Sequence, residues 1–363
     1  MPTASPVLSL SDLGWDDDWA AALADQPAAG LTPGRVSRID RGISTVLTAA
    51  GAVRVAAVAE LRLAVGDWVA LAGGSADSAQ MVLAAILPRR CAFRRVSDDP
   101  AAREQVVAAN IDSVLLVDAI DGQLSARHLE RYVALAWQSG ATPVIVITKS
   151  DLASPAEVDQ FLAGVTEVAS GVAVHIISAA TGEGLEQLAP YLAPGLTVAL
   201  LGLSGAGKST LVNLLAGSTI LATGAVRGDG KGRHTTTYRE LVPLAGGGMV
   251  IDTPGMRALS VSSAAVGVAQ VFTDVEDLAT HCRFPDCSHT TEQGCAIAAA
   301  VEAGELSVVR VDSWRQLLSE TTAESPQVTR LRVVERKRQK ATAKAGRSRA
   351  RATQKKLAPP PQL

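Results

Sequence analysis

Hydrophobic positions change their period along the chain, and the changes divide it. From about Gly34 to Pro88, short aliphatic runs ("RVSRI", "STVLTA", "VRVAAV", "DWVAL", "MVLAAIL") are separated by Gly, Asp and Ser turns. Five short strands so spaced predict a small closed barrel, of which the OB-fold is the commonest kind. Trp68 is the one aromatic residue in that stretch that could serve as a base-stacking platform. From Ile111 to Asp252 the pattern becomes that of buried strands alternating with amphipathic helices. "IDSVLLVDAI", "TPVIVITKSD", "VAVHIISA" and "GLTVALLGL" read as strands buried on both faces. "SARHLERYVALAWQSG" puts Leu129, Tyr132, Val133 and Ala136 on one helical face. In "SPAEVDQFLAGVTEVAS", Ser154 and Glu157 form a capping box with Pro155 at the first helical position. A further helix is expected from about Gly184 to Leu192. This is the pattern of a doubly wound α/β domain, with ligand loops at the carboxyl ends of its strands. Residues 1–30 are acidic and turn-rich, with no period long enough to predict an element.

Composition narrows the class. A chain of 363 residues, 47% hydrophobic and 19% charged, is too long for one core, so two or three domains are expected. Its longest apolar runs, such as Val114 to Val117, are strand-sized and far short of a membrane helix. The acidic start, with Asp12, Asp16, Asp17 and Asp18, lacks the features of a signal peptide, so a cytoplasmic location without a membrane partner is expected. The net charge of −2 conceals an asymmetry. Between Arg330 and Lys356 twelve Lys or Arg stand against Glu335 alone, a local +11 that leaves −13 for the rest. Such a tail suits contact with a polyanion. Three of the four cysteines gather at Cys282, Cys287 and Cys295, a spacing that favours metal ligation over a disulfide framework.

The strongest chemical signal is "GLSGAGKST", Gly202 to Thr210, between a strand and a helix. Gly202, Leu203, Ser204, Gly205, Ala206 and Gly207 would curve backbone N–H groups around a phosphate. Lys208 would reach the β- and γ-phosphates, and the Ser209 hydroxyl would ligate Mg2+. That loop alone does not separate ATP from GTP. "TKSD" makes the choice: the Asp151 carboxylate can accept from both guanine N1–H and its amino group, a donor pair adenine lacks. The Lys149 stem would lie over the ring beside Thr148 and Ser150, and Ser178-Ala179 could offer an N–H to the guanine carbonyl. Downstream, "DTPG" places Asp252 to hold Mg2+ through water and Gly255 to donate to the γ-phosphate. In "GKGRHTTTYRE", Thr236, or alternatively Thr235, would contact Mg2+ and the γ-phosphate. Cys282, Cys287, His289 and Cys295 have the donor set of a closed tetrahedral Zn2+ site, with His281 the weaker histidine. Cys91, His128 and His175 are expected to be structural.

In their order, "TKSD", "SA", "GLSGAGKST", "GRHTTT", "DTPG" and then "CRFPDCSHTTEQGC", these motifs resemble the circularly permuted GTPases, specifically the ribosome small-subunit-dependent GTPase A (RsgA/YjeQ) family. The resemblance spans roughly Gly34 to Leu318. It implies an N-terminal OB-fold (31–90) after the acidic segment (1–30), a central α/β permuted P-loop GTPase domain (101–260), a mainly helical zinc-binding domain (261–325) and a basic tail (326–363). It also implies hydrolysis of GTP to GDP with Mg2+, one structural Zn2+, and a role in late maturation of the small (30S) ribosomal subunit with its 16S rRNA as partner. Nothing points to an obligate dimer, so a monomer is expected. The usual water-orienting Gln after D-x-x-G is replaced by Met256; the resemblance assigns that role to His234, with turnover stimulated by the subunit. The base motif of the family begins with Asn, which braces the phosphate loop and the purine; this chain has Thr148. Two other readings compete: an RNA-binding assembly factor whose nucleotide site binds without turnover, and an ATP-using P-loop kinase, against which Asp151 and "DTPG" count.

Overall fold

In the computed structural model, which describes residues 8–58, 61–73, 81–95, 105–121, 125–169, 171–217, 240–252, 265–284, 287–290 and 292–322, the five short N-terminal runs form strands as predicted. They are β1 (Thr32–Asp40), β2 (Ile43–Thr48), β3 (Gly51–Ala56), β4 (Trp68–Ala72) and β5 (Val82–Ile86). All pair antiparallel in the order β3-β2-β1-β4-β5, and β5 comes back against β3. Alternation sends Val36, Val46, Val55, Val69, Leu71 and Leu83 into a common interior.

The acidic N-terminus is not featureless. It carries α1 (Asp17–Ala24), whose eight residues are too few to show a helical period in the sequence. Asp16 caps it by accepting from Trp19 N–H. Trp19 and Trp15 pack over Trp68 at ring distances of 6.1 and 4.8 Å, leaving Trp68 1% exposed. Trp68 is therefore a core residue and no platform for bases. Arg90 fastens the same helix by pairing with Asp16 and Asp18 and stacking on Trp19. A second element the periodicity did not reveal is the hairpin of β6 (Ala92–Arg95) and β7 (Gln105–Ala109).

The continuous apolar runs become β8 (Ser113–Ala119), β9 (Thr142–Thr148), β10 (Ala173–Ile176) and β11 (Thr197–Leu201), joined by β12 (Glu240–Pro243) and β13 (Met249–Asp252). Their order is β10-β9-β8-β11-β13-β12, parallel except for β12. α2 (Ala126–Ser139), α3 (Pro155–Val168) and α4 (Lys208–Ala216) connect them. α2 buries Leu129, Tyr132, Val133 and Ala136, and α3 starts with the expected capping box of Ser154 and Glu157. The segment expected to be a helix near Gly184 is the 3-10 stretch Leu185–Tyr191, with Pro190 inside it; the missing proline N–H is incompatible with a regular α-helical ladder there. The C-terminal portion is helical: α5 (Ala265–Val271), α6 (Thr273–Ala279), α7 (Ala296–Glu302) and α8 (Val308–Thr322). Among the described residues no helix is long and apolar enough to cross a membrane.

Two guanidinium groups, the buried Arg35 and the largely covered Arg310, fasten the outer portions of the molecule. β1 pairs with β12 at Arg38 and Glu240, which merges barrel and α/β strands into one sheet. Behind that seam Arg35, 2% exposed, donates to the backbone carbonyls of Leu13, Gly66 and Asn110. Burial lowers its pKa to about 10, so it remains charged at neutral pH. Arg310 on α8 binds both Asp274 oxygens, donates to the Val168 and Val271 carbonyls and lies 3.7 Å from the buried Glu130 of α2. Arg35→Leu should therefore orphan the Leu13 and Asn110 carbonyls, Gly66 keeping its bond from Asn110 Nδ2, and lower stability by about 2 kcal/mol or more, read as a reduced urea midpoint at unchanged m-value. A loss under about 1 kcal/mol would mean that water replaces the guanidinium.

Candidate nucleotide site and metal cluster

The carboxyl ends of the parallel strands gather the nucleotide motifs on one sheet edge. "TKSD" follows β9, Ser178-Ala179 follows β10, the phosphate loop follows β11, and Asp252 closes β13. Only β8 separates β9 from β11. At about 4.8 Å per strand, the base-reading loop and the phosphate loop stand about 10 Å apart, within the reach of one nucleotide.

The phosphate loop takes its shape from glycine and from its neighbours. Gly202 has φ of 151°, and a Cβ there would stand 2.0 Å from the Val117 carbonyl of β8; no other residue fits. Gly205 and Gly207 are left-handed at φ of 85°. Gly207 caps α4 without a side-chain hydrogen bond, so the first N–H groups of that helix face the loop's hollow. Lys208 donates to the Gly202 and Leu203 carbonyls at 2.9 and 2.6 Å, curling over the place where phosphates would displace it. Ser204 and Thr210 are exposed on the rim, Ser209 is half-buried and Ala206 is buried.

Thr148 accounts for the departure from Asn. It is 1% exposed, and its hydroxyl donates to the Ala206 carbonyl at 2.8 Å, with the Asp118 carbonyl at 3.2 Å. The brace between base loop and phosphate loop is thus kept by a shorter side chain. Next to it, Lys149 adopts φ of 62° and pairs with Asp121 at 2.8 Å. Ser150 ties the base loop to the end of the neighbouring strand by donating its N–H to the Ile177 carbonyl. Ser178, fully buried, donates its hydroxyl to Asp151 Oδ1 at 2.5 Å and accepts from the N–H groups of Ala180 and Thr181. Ala179 follows it at the half-buried edge of this loop. Two acids of the β8 exit, Asp118 and Asp121, escaped the motif reading. Asp118 has its pKa raised by burial and lies near the Lys208 charge. Their position at the end of a parallel strand was the available signal. His234, Thr235, Thr236, Gly255 and the basic tail lie outside the described residues.

The cysteines converge as their spacing predicts. One ligand atom from each of Cys282, Cys287, His289 and Cys295 lies within 4.8 Å of all the others. Cys282 Sγ is 3.4 Å from His289 Nδ1 and 4.0 Å from Cys295 Sγ, which is 3.9 Å from His289 Nδ1. A tetrahedral zinc with bonds of about 2.3 Å to sulfur and about 2.0–2.1 Å to nitrogen requires edges of about 3.6–3.8 Å, so the donors fit that ion. Backbone N–H groups point at the sulfurs: Ala296 to Cys282, His289 to Cys287, Ala298 to Cys295. Burial and the neighbouring thiols push Cys287 up to about 11; a bound cation would reverse that cost. His289 reaches the cluster from a left-handed backbone (φ 59°), with its ring against Trp314 and its carbonyl accepting from Arg315. His281 turns away to the Asp277 carbonyl. Cys91 is buried against Ser139, His128 bonds Ser125, and His175 lies between Gln187 and Tyr191.

Comparison with known proteins follows the same lines. The family described as RsgA GTPase matches residues 86–262. The chain is 45% identical over 320 residues to the small ribosomal subunit biogenesis GTPase RsgA of Streptomyces coelicolor, covering 86% of each chain. In structure it is similar to YjeQ from Thermotoga maritima (TM-score 0.61, 24% identity, 81% of this chain and 100% of that one). It is also similar to YloQ, a circularly permuted GTPase (TM-score 0.59, 22% identity, 83% and 98%). These likenesses show a circularly permuted GTPase fold.

Two variants probe this geometry. Thr148→Val should weaken GTP binding about tenfold by removing the brace on the Ala206 carbonyl, whereas Thr148→Ser should bind as the native protein does; equal affinities in a fluorescent-nucleotide titration would discard the brace. Cys287→Ala should lose zinc and expose the segment around 282–295 to protease, because about 10 kcal/mol or more of binding energy is folding energy in small zinc sites. Full zinc stoichiometry in that variant would require another ligand set.

Proposed function

Because this chain belongs to the RsgA GTPase family and is a GTP hydrolase, we propose that it turns GTP over to GDP and phosphate on the small (30S) ribosomal subunit, in contact with 16S rRNA, during that particle's late maturation. Support comes from the name carried by its relative in Streptomyces coelicolor. The observation that carries the site is the buried Thr148 hydroxyl tying the "TKSD" loop to the phosphate loop, which makes one pocket of base reader and phosphate cradle. We read the protein as a monomer acting in the cytoplasm. The strand order β3-β2-β1-β4-β5, with β5 against β3, supports an OB-fold over 31–90. We place the GTPase domain at 101–260, the zinc-binding domain at 261–325 and the basic tail beyond it.

In this reading Asp151 accepts from the guanine N1–H and amino groups, exchanging its bond from Ser178 for them, and the Ala179 N–H meets the guanine carbonyl. Lys208 leaves the Gly202 and Leu203 carbonyls for the β- and γ-phosphates, and the loop amides with the N-terminus of α4 hold the remaining charge. Ser209 and Thr236 would hold Mg2+ bound with GTP, with Asp252 acting through water, and the ion would supply positive charge against the phosphates; the Gly255 N–H would contact the γ-phosphate. His234 orients the attacking water in place of the residue at Met256. Zn2+ at Cys282, Cys287, His289 and Cys295 is structural.

The experiment is multiple-turnover phosphate release with and without small subunits. Turnover should be slow alone and stimulated by subunits. His234→Ala should keep GTP affinity and lose about 10^2-fold or more of the stimulated rate, whereas Lys208→Ala should weaken nucleotide binding itself. If His234→Ala keeps full stimulated turnover, the water-orienting assignment fails. If the native protein binds subunits and GTP without releasing phosphate, the binding-only reading takes its place.

A further inference from the structure

Every other described Phe, Tyr or Trp side chain is buried or only partly exposed, whereas Phe284, in the metal loop between Cys282 and Cys287, is 46% exposed. The backbone that carries it is clamped on both sides. The Arg283 N–H donates to the Gly294 carbonyl at 3.0 Å, and the Phe284 carbonyl accepts from the Cys287 N–H at 3.2 Å. Gly294, at φ of 86°, is held so close that a Cβ there would stand 2.9 Å from that of Arg283. Arg283 is exposed and holds its guanidinium over the Phe284 ring, 5.4 Å from the centroid. The backbone bonds thus set where a partly exposed ring stands, with a cation beside one of its faces.

We propose that Phe284 and Arg283 form a stacking site for an unpaired RNA base, the ring taking the base on its open face and Arg283 the adjoining phosphate or the edge of the stack. An unstacked base has the flat π-face that an exposed phenyl ring pairs with, and the guanidinium adds a charge that a polyanion rewards. An apolar protein pocket would gain from the ring alone and would have to desolvate Arg283. The inference rests on the reading that this chain works on the small ribosomal subunit, and it adds two residues of the metal loop and the chemistry of their contact with a base.

The test uses full-length, zinc-loaded protein with Phe284→Trp, Phe284→Leu and Phe284→Ala, and two probes: small subunits freed of this protein, and a mixed-sequence single-stranded RNA oligonucleotide. Zinc content and the KM for GTP without subunits should match the native protein in all three, since the ring lies outside both sites; should the alanine variant lose zinc, the leucine and tryptophan variants decide. Stacking predicts that Phe284→Trp binds subunits at least as well as the native protein, and that Phe284→Leu and Phe284→Ala bind roughly 5- to 100-fold more weakly. The oligonucleotide should quench the additional indole emission of the Phe284→Trp variant, taken as its difference from the native tryptophans. Arg283→Gln should lower the salt slope of binding by about one. If Phe284→Leu binds subunits like the native protein and Phe284→Trp does not, the site is an apolar protein contact and the proposal is overturned. Equal subunit binding by all variants, or no quenching, overturns it too. If the native protein fails to bind subunits at all, the functional reading falls, and quenching by the oligonucleotide alone still decides the stacking site.

Discussion

The phosphate loop can approach the sheet because Gly202 has no side chain, and the remaining nucleotide geometry depends on that approach. With a Cβ lodged 2.0 Å from the Val117 carbonyl, β11 could not leave the sheet at that angle. The Ala206 carbonyl would then miss the Thr148 hydroxyl, and the amides at the start of α4 would face elsewhere. A side-chain cap on α4 would have occupied those same amides; Gly207 leaves them for a ligand. The left-handed glycines, the uncapped helix and the buried hydroxyl are thus parts of one solution to a single demand, the gathering of backbone donors around an anion.

The outer portions of the molecule are held by a different device. Arg35 and Arg310 each bring a charge into a seam between elements; Arg35 satisfies it with backbone carbonyls, and Arg310 divides its bonds between the Asp274 carboxylate and two carbonyls. Each bond by itself contributes about 1 kcal/mol net, but removing the guanidinium would strand several acceptors at once. Such a seam is stiff in small displacements and intolerant of separation. Since β13 flanks β11 and β12 pairs with both β13 and β1, a continuous run of strand pairing leads from the phosphate loop to the barrel.

Much of this was legible in the sequence because it is local. The continuous apolar runs of β8, β9 and β11, the capping box at Ser154, the Gly-rich loop before Lys208 and the Cys-His spacing each state their structure within a dozen or so residues. What was not legible has a common cause. α1 is shorter than a helical period needs to declare itself, and its stability comes from Trp19 on Trp68 and from Arg90, partners distant in the chain. Trp68 looked available to bases until Trp15 and Trp19 covered it. Asp118 and Asp121 belong to no motif, and only the strand order places them beside Lys208 and Lys149.

Residue type and close spacing alone limit what Gly202 to Thr210, Thr148 to Asp151 and Cys282 to Cys295 can hold, and with that the chemistry open to this chain. Tertiary structure decided how those groups work together. That the phosphate loop and "TKSD" share an edge follows from β8 lying between β9 and β11. That Thr148 can stand where Asn is usual follows from an acceptor 2.8 Å away on a segment 58 residues later. That Phe284 is more exposed than the other described Phe, Tyr and Trp side chains follows from where the bonds of the metal loop hold its backbone. The physical reason is the same in each case: side-chain chemistry is written residue by residue, whereas distance between residues far apart in the chain is set only when burial and backbone pairing choose one packing.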